Sequence, residues 1–150
     1  MPISPRTLAA TCASASVPGA IVDSGALVAW FNRRDRHHAR VRAYLDGFRG
    51  ELVTTWPVLV ETVHLLPTRL GVAFLQWVNA GGVTIHEMPP DSIATIATLV
   101  AKYADNAMDV TDASLLWLAD RSGVSDMITI DDAHFAAYRT PGGKALRNLI

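Results

Sequence analysis

The apolar run Ala20-Ile21-Val22 stops abruptly at Asp23-Ser24-Gly25, and a second apolar stretch with helical spacing, Ala26 to Trp30, follows at once. This pattern reads as a short buried strand, a tight turn and a helix. It places one carboxylate at the strand's C-terminal edge, where ligands bind in open α/β sheets. Asp23 is therefore either a helix N-cap or a functional acid, and the choice depends on which other acids reach the same edge.

The rest of the chain repeats the alternation. Asn32 to Arg42 is rich in Arg and His, and Val41, Leu45 and Phe48 recur at helical spacing, so this stretch reads as one exposed basic helix. Its basic face is either merely solvated or a surface for phosphates. The adjacent His37 and His38 cannot share a helix face and do not read as a metal pair. A second strand is expected at Leu52–Thr55, and Pro57 just inside the following segment marks a helix start. That helix carries Glu61 among apolar neighbours, where a carboxylate is costly unless exposed, paired or metal-bound. Pro67 ends or kinks it.

Further helices are expected over Gly71–Ala80, over Ser92–Tyr103 behind a Pro89-Pro90-Asp91 cap, and over Ser114–Asp120 ahead of Gly123. A third strand is expected at Val83–His86, a fourth at Met127–Ile130 ending in Asp131-Asp132, and a fifth within Ala145–Ile150. Strands alternating with helices imply an α/β fold, a mostly parallel sheet of about five short strands flanked by helices. Residues 1–19 are small, polar and proline-punctuated, and read as a disordered N-terminal extension to a single domain over residues 20–150.

Composition narrows the functional classes. Half of the 150 residues are hydrophobic and 18% are charged, with mean hydropathy +0.23. No apolar run reaches the length of a membrane span, so the excess apolar surface points to a protein partner or self-association. A net charge of −1 gives no overall attraction for nucleic acid, which needs a local basic patch instead. The single cysteine, Cys12, excludes an internal disulfide and a cysteine-rich zinc site, and suits the reducing cytoplasm.

Asp23 and Asp131 each follow an apolar strand, while Glu61 and Asp112 fall in the first turns of helices. In a right-handed α/β sheet these positions share one rim. Four converging acids repel one another and raise at least one pKa, an arrangement suited to holding a divalent cation. Oxygen donors without His or Cys point to Mg²⁺ or Mn²⁺, which can activate water and stabilise phosphoryl transfer. Asp109, three residues before Asp112, is either a helix cap or part of this site.

At these motifs the chain resembles a known family. Ile21-Val22-Asp23-Ser24, the Val58–Leu66 segment around Glu61, Met108-Asp109-Val110-Thr111-Asp112-Ala113, and Ile128-Thr129-Ile130-Asp131 with Phe135 look like the PIN domain. The order and spacing are similar to small VapC-type toxins of bacterial toxin–antitoxin pairs, over about Ala20 to Tyr138. The resemblance implies a Mg²⁺- or Mn²⁺-dependent ribonuclease. Asp23, Glu61, Asp112 and Asp131 take the catalytic roles, with the metal held by Asp23, Asp112 and Asp131 and support from Ser24, Asp109 and Thr129. It further implies a cognate antitoxin. Single-stranded RNA is the expected substrate, with Arg33, Arg34, Arg36 and Arg40 of the basic stretch holding its phosphates, and the high apolar content leads to the expectation of a homodimer. His134 stands where many relatives have an acid and is left outside the site.

Other α/β proteins with strand-end carboxylates fit less well. A receiver domain needs two adjacent acids after its first strand, and Asp23-Ser24 offers one. A haloacid-dehalogenase-type phosphatase needs Asp-x-Asp, and Gly25 stands at the third position. The non-enzymatic alternative is an inactive PIN-like module that binds RNA or protein.

Overall fold

The computed structural model describes residues 19–150. Cys12 and the expected N-terminal disorder lie outside the described residues. In chain order the elements are β1 (Gly19–Val22), α1 (Ser24–Phe31), α2 (His38–Leu45), β2 (Glu51–Thr55), α3 (Trp56–Leu65), α4 (Thr68–Asn79), β3 (Thr84–His86), α5 (Ser92–Lys102), α6 (Val110–Ser122), β4 (Asp126–Ile128), α7 (Asp132–Ala137) and β5 (Arg147–Asn148). All strand pairings are parallel, in the order β3-β2-β1-β4-β5.

This order explains the composition of β1. As the central strand it is covered on both faces, and Ala20, Ile21 and Val22 are wholly inaccessible to solvent. The chain moves outward from β1 to β3, then returns to lay β4 on the other side of β1. The connections after β1 and β4 consequently diverge and leave a crevice at their C-terminal ends, which is the topological switch point of the sheet.

Helix α6 begins at that crevice, where Asp109 and Asp112 line it. Its residues Ala113–Ala119 are all buried, because it packs against α3, α5 and β2 and not on one face alone. The Asp109 carboxylate accepts from Asp112 N–H at 2.8 Å, and Gly123 ends the helix with a φ of 75°, a left-handed conformation that suits glycine. Buried hydroxyls are paired: Thr54 donates to Val22 O at 2.9 Å, and Thr55 Oγ1 lies 2.7 Å from Ser114 Oγ, tying β2 to α6. Thr55 accordingly precedes α3 without capping it through its side chain.

The structure corrects several expectations. Arg33, Arg34 and Arg36 lie on a turn, and the basic helix begins only at His38. Asn32 Oδ1 accepts from Arg34 N–H and Asp35 Oδ1 from His37 N–H, so side chains capture backbone donors that a helix would have used. Phe48 lies beyond the end of α2. Helix α4 starts at Thr68, directly after Pro67, and not at Gly71; Leu66 is extended, as a residue before proline tends to be. Helix α5 starts as expected, but Ser92 and Ile93 N–H bond to the carbonyls of Pro89 and Pro90, and the Asp91 carboxylate makes no cap. The β4 ladder ends at Ile128 and not at Ile130. The Asn148 side chain accepts from Thr129 N–H and donates to Thr129 O, ending strand pairing two residues early.

Leu116 is wholly buried in α6. Leu116→Ala is expected to lower unfolding free energy by about 2–5 kcal/mol in urea titrations, through lost transfer energy and an unfilled cavity.

Candidate active site

Asp23 is the first residue after β1, and its N–H donates to Ile128 O of β4 at 3.2 Å, which fixes it over the seam between the two central strands. Its carboxylate is buried and well supplied with donors. Oδ1 accepts from Ser24 N–H at 2.7 Å, and Oδ2 accepts from the Thr129 hydroxyl at 3.0 Å. Thr129 Oγ1 in turn accepts from Asp131 N–H at 3.0 Å, so one threonine links both strand-end acids. On the other side, the Ser24 hydroxyl donates to Glu61 Oε2 and lies 3.3 Å from Asp23 Oδ1.

Asp23, Glu61, Asp109, Asp112 and Asp131 all line one cleft of about 500 Å³, together with Ser24, Arg36, His37 and His134. Their positions along the chain differ from one another in function. Asp109 caps α6, which resolves the choice left open by its spacing in favour of a cap that also faces the cleft. Asp112, in the first turn of that helix as expected, is half-buried. Glu61 stands in the second turn of α3, and not the first. Asp131 caps α7 and pairs with His134 Nδ1 at 2.6 Å. Among the described residues, no three Asp, Glu, His or Cys side chains close around one point tightly enough to enclose an ion, so the acids form an open, carboxylate-lined cleft.

The electrostatic cost is visible in the titration of two acids. Burial pushes the Asp23 carboxyl up to about 6, with Glu61 adding to the rise and the Thr129 and Ser24 hydrogen bonds opposing it. Burial likewise pushes Asp112 up to about 7, reinforced by the charges of Asp109, Asp23 and Glu61. Both acids are raised chiefly because they are buried, and neighbouring negative charge adds to the rise. A cation in the cleft would relieve that repulsion, and its donor set of carboxylate oxygens matches a hard divalent ion.

Of the basic residues read from the sequence, only Arg36 reaches this cleft, where its Nε–H donates to His37 Nε2 at 2.9 Å. Arg33 and Arg34 line a neighbouring depression, and Arg40 is exposed on α2. His134 and His37 were not anticipated as cleft residues. The Asp131-x-x-His134 spacing, which puts both on one side of a helical turn, was the available signal for the first. His37 reaches the cleft through the turn before α2, which local sequence spacing does not place.

The family model for the PIN domain matches residues 20–140. The chain belongs to the PIN domain family. It is 33% identical over 127 residues to ribonuclease VapC26 of Mycobacterium tuberculosis, covering 82% of this chain and 94% of that protein. Its fold is also similar to the crystal structure of VapC20 from the same organism, a toxin that cleaves the sarcin–ricin loop. The TM-score is 0.72 at 19% identity, over 78% of this chain and 93% of VapC20. The PIN-domain resemblance read from the four acidic motifs and the expected α/β architecture are both borne out.

The raised acids fix the sign of a pH effect. Between about 4 and 7 the folded protein binds more protons at Asp23 and Asp112 than the unfolded chain does, so stability falls as pH rises through that interval. In EDTA, the melting temperature is expected to be higher at pH 5 than at pH 8. The Asp23 shift alone corresponds to about 3 kcal/mol, and the more exposed Asp112 adds less than its shift implies because solvent screens it. Calorimetry across this range checks the slope, and a flat profile would show that the two carboxyls are not raised in the folded protein.

Proposed function

We propose that this protein is a Mg²⁺- or Mn²⁺-dependent endoribonuclease of the VapC type acting on single-stranded RNA, the toxin of a toxin–antitoxin pair. The observation that carries the reading is the meeting of Asp23, Glu61, Asp112 and Asp131 in one cleft at the switch point of a PIN fold, with two of the acids titrating near neutrality. The similarity to ribonuclease VapC26 supports the reaction class.

In this reading Asp23, Asp112 and Asp131 would hold the cation from the walls of the open cleft. When bound, a divalent ion lowers the pKa of a coordinated water and offsets charge building on the phosphoryl oxygens. The remaining work belongs to the chain. Ser24 and Thr129 hold the two oxygens of Asp23 in fixed directions, so the carboxylate does not reorganise as charge develops. Glu61 is oriented through Ser24 at Oε2, which leaves Oε1 to take a proton from the attacking water. Asp109 holds the first turn of α6, and with it Asp112, in place. Arg36 at the rim attracts a phosphate, and Arg33, Arg34 and Arg40 extend that attraction along the strand.

RNA cleavage is expected to stop in EDTA and return with Mg²⁺ or Mn²⁺. Asp112→Asn is expected to abolish cleavage while raising the metal-free melting temperature at pH 8, a gain of about 1 kcal/mol from no longer burying a charge among other acids. Added Mn²⁺ should stabilise the wild type far more than this variant. Cleavage retained in Asp112→Asn would remove Asp112 from the site, and an absence of metal-dependent cleavage in the wild type would favour the inactive binding module.

The protein acts in the cytoplasm with a cognate antitoxin and forms a homodimer in this proposal. Trp56 and Val60, one turn apart on α3, are more than half exposed, as are Leu65 and Ile93. Apolar side chains left in solvent in this way supply surface for such partners, and among the described residues no helix is long and apolar enough to cross a membrane. Sedimentation at concentrations on the order of tens of micromolar is expected to give twice the monomer mass, and a monomer there would reject the homodimer.

A further inference from the structure

A second cleft of about 540 Å³ lies beside the acidic one, lined by Phe31, Arg33, Arg34, Pro67, Arg69 and Leu70 with Asn32. The two linings share no residue but run close together along the chain at two places. The turn between α1 and α2 sends Asn32, Arg33 and Arg34 into one and Arg36 and His37 into the other. The α3–α4 junction likewise gives Leu65 to the acidic cleft and Pro67, Arg69 and Leu70 to its neighbour.

The chemistry of the two clefts is opposite. The second is lined by three arginines and no carboxylate. Among the described residues, the Arg33, Arg34 and Arg69 side chains make no ion pair, whereas Arg42 pairs with Asp46 and Arg147 with Asp126. Its floor is apolar and fixed: Phe31 packs edge-on against Phe74 and Trp77 with ring centroids 5.4 and 5.5 Å apart. Exposed guanidinium groups around an aromatic and aliphatic floor suit a single-stranded nucleic acid, with phosphates on the arginines and a base against the floor.

We propose that this arginine-lined cleft is a second RNA subsite, in which Arg33, Arg34 and Arg69 hold backbone phosphates of nucleotides a few positions away from the scissile bond. The inference rests on the nuclease reading above, which places the reacting phosphate in the acidic cleft; a strand leaving that cleft over the shared turn enters this one. Arg69 is the diagnostic residue, because it lies on α4, apart from the basic turn and on an element that carries none of the four acids.

The test compares wild type with Arg69→Ala, using fluorescein-labelled oligouridine of about 12 nucleotides, long enough to span both clefts, and one of about 4 nucleotides, too short to do so. In EDTA, Arg69→Ala is expected to bind the longer RNA about five- to tenfold more weakly, with the slope of log K against log salt reduced by about 0.7. In Mn²⁺ its KM for the longer RNA should rise with kcat unchanged, cleavage of the shorter RNA should match wild type, and Arg69→Lys should recover most of the affinity. Arg69 is exposed, so the melting temperature should not move.

Equal affinity and salt slope for the longer RNA would overturn the proposal. So would an equal loss on both lengths, which would make Arg69 a support of the acidic cleft. Unchanged RNA binding, together with loss of affinity for a labelled polyglutamate peptide, would assign the cleft to an acidic protein segment and overturn the RNA subsite. If the wild type cleaves neither RNA with Mn²⁺, the nuclease reading itself fails and the subsite falls with it; cleavage by the wild type with no Arg69 effect rejects the subsite alone.

Discussion

The buried carboxylate of Asp23, held over the seam between β1 and β4, is the interaction on which the site depends. A carboxylate removed from water is tolerated only where donors replace its hydration. Here Ser24 N–H and the Thr129 hydroxyl do so from opposite sides. Because Thr129 also accepts from Asp131 N–H, and Ser24 also donates to Glu61, the positions of three acids follow from the hydrogen bonds around one. The parallel pairing of β1 with β4 makes this possible, since only neighbouring strands bring Asp23 and Thr129 within reach.

Function and stability pull against each other in the same cleft. The hydrophobic core is extensive, with α6 buried through its middle turns and β1 closed to solvent. That core supports a set of acids whose mutual repulsion opposes the compact state. The backbone shows a related tension at Ala107, the one non-glycine among the described residues with a positive φ, at 53°. It lines the acidic cleft and precedes the Asp109 cap, so the left-handed turn there leads the chain into the helix that presents Asp112.

The charge distribution also reconciles a near-neutral chain with the polyanionic substrate proposed for it. A net charge of −1 averages over two adjoining clefts of opposite sign, one carboxylate-lined and one arginine-lined. The short-range field at each cleft is set by those nearby groups, because salt screens more distant charge within about 10 Å. The turn before α2 is the boundary between the two, and its Asn32 and Asp35 side-chain hydrogen bonds determine which arginine faces which side.

Local patterning was enough to locate most elements and to mark Asp23, Glu61, Asp112 and Asp131, because strand ends and helix starts leave strong signatures in apolar periodicity and turn residues. The sequence by itself determined that these acids lie on one rim, since right-handed connections in a parallel sheet allow little else. Tertiary structure decided the rest. Where β4 ends depends on the Asn148 side chain, a partner nineteen residues beyond Thr129. That Asp109 caps the helix while both it and Asp112 line the cleft depends on helix phase and burial. The entry of His134 and His37, and the separation of Arg33 and Arg34 from Arg36, depend on side-chain hydrogen bonds and on packing between distant segments. Such contacts leave no periodic trace in the chain, because they link residues whose proximity exists only once the sheet has formed.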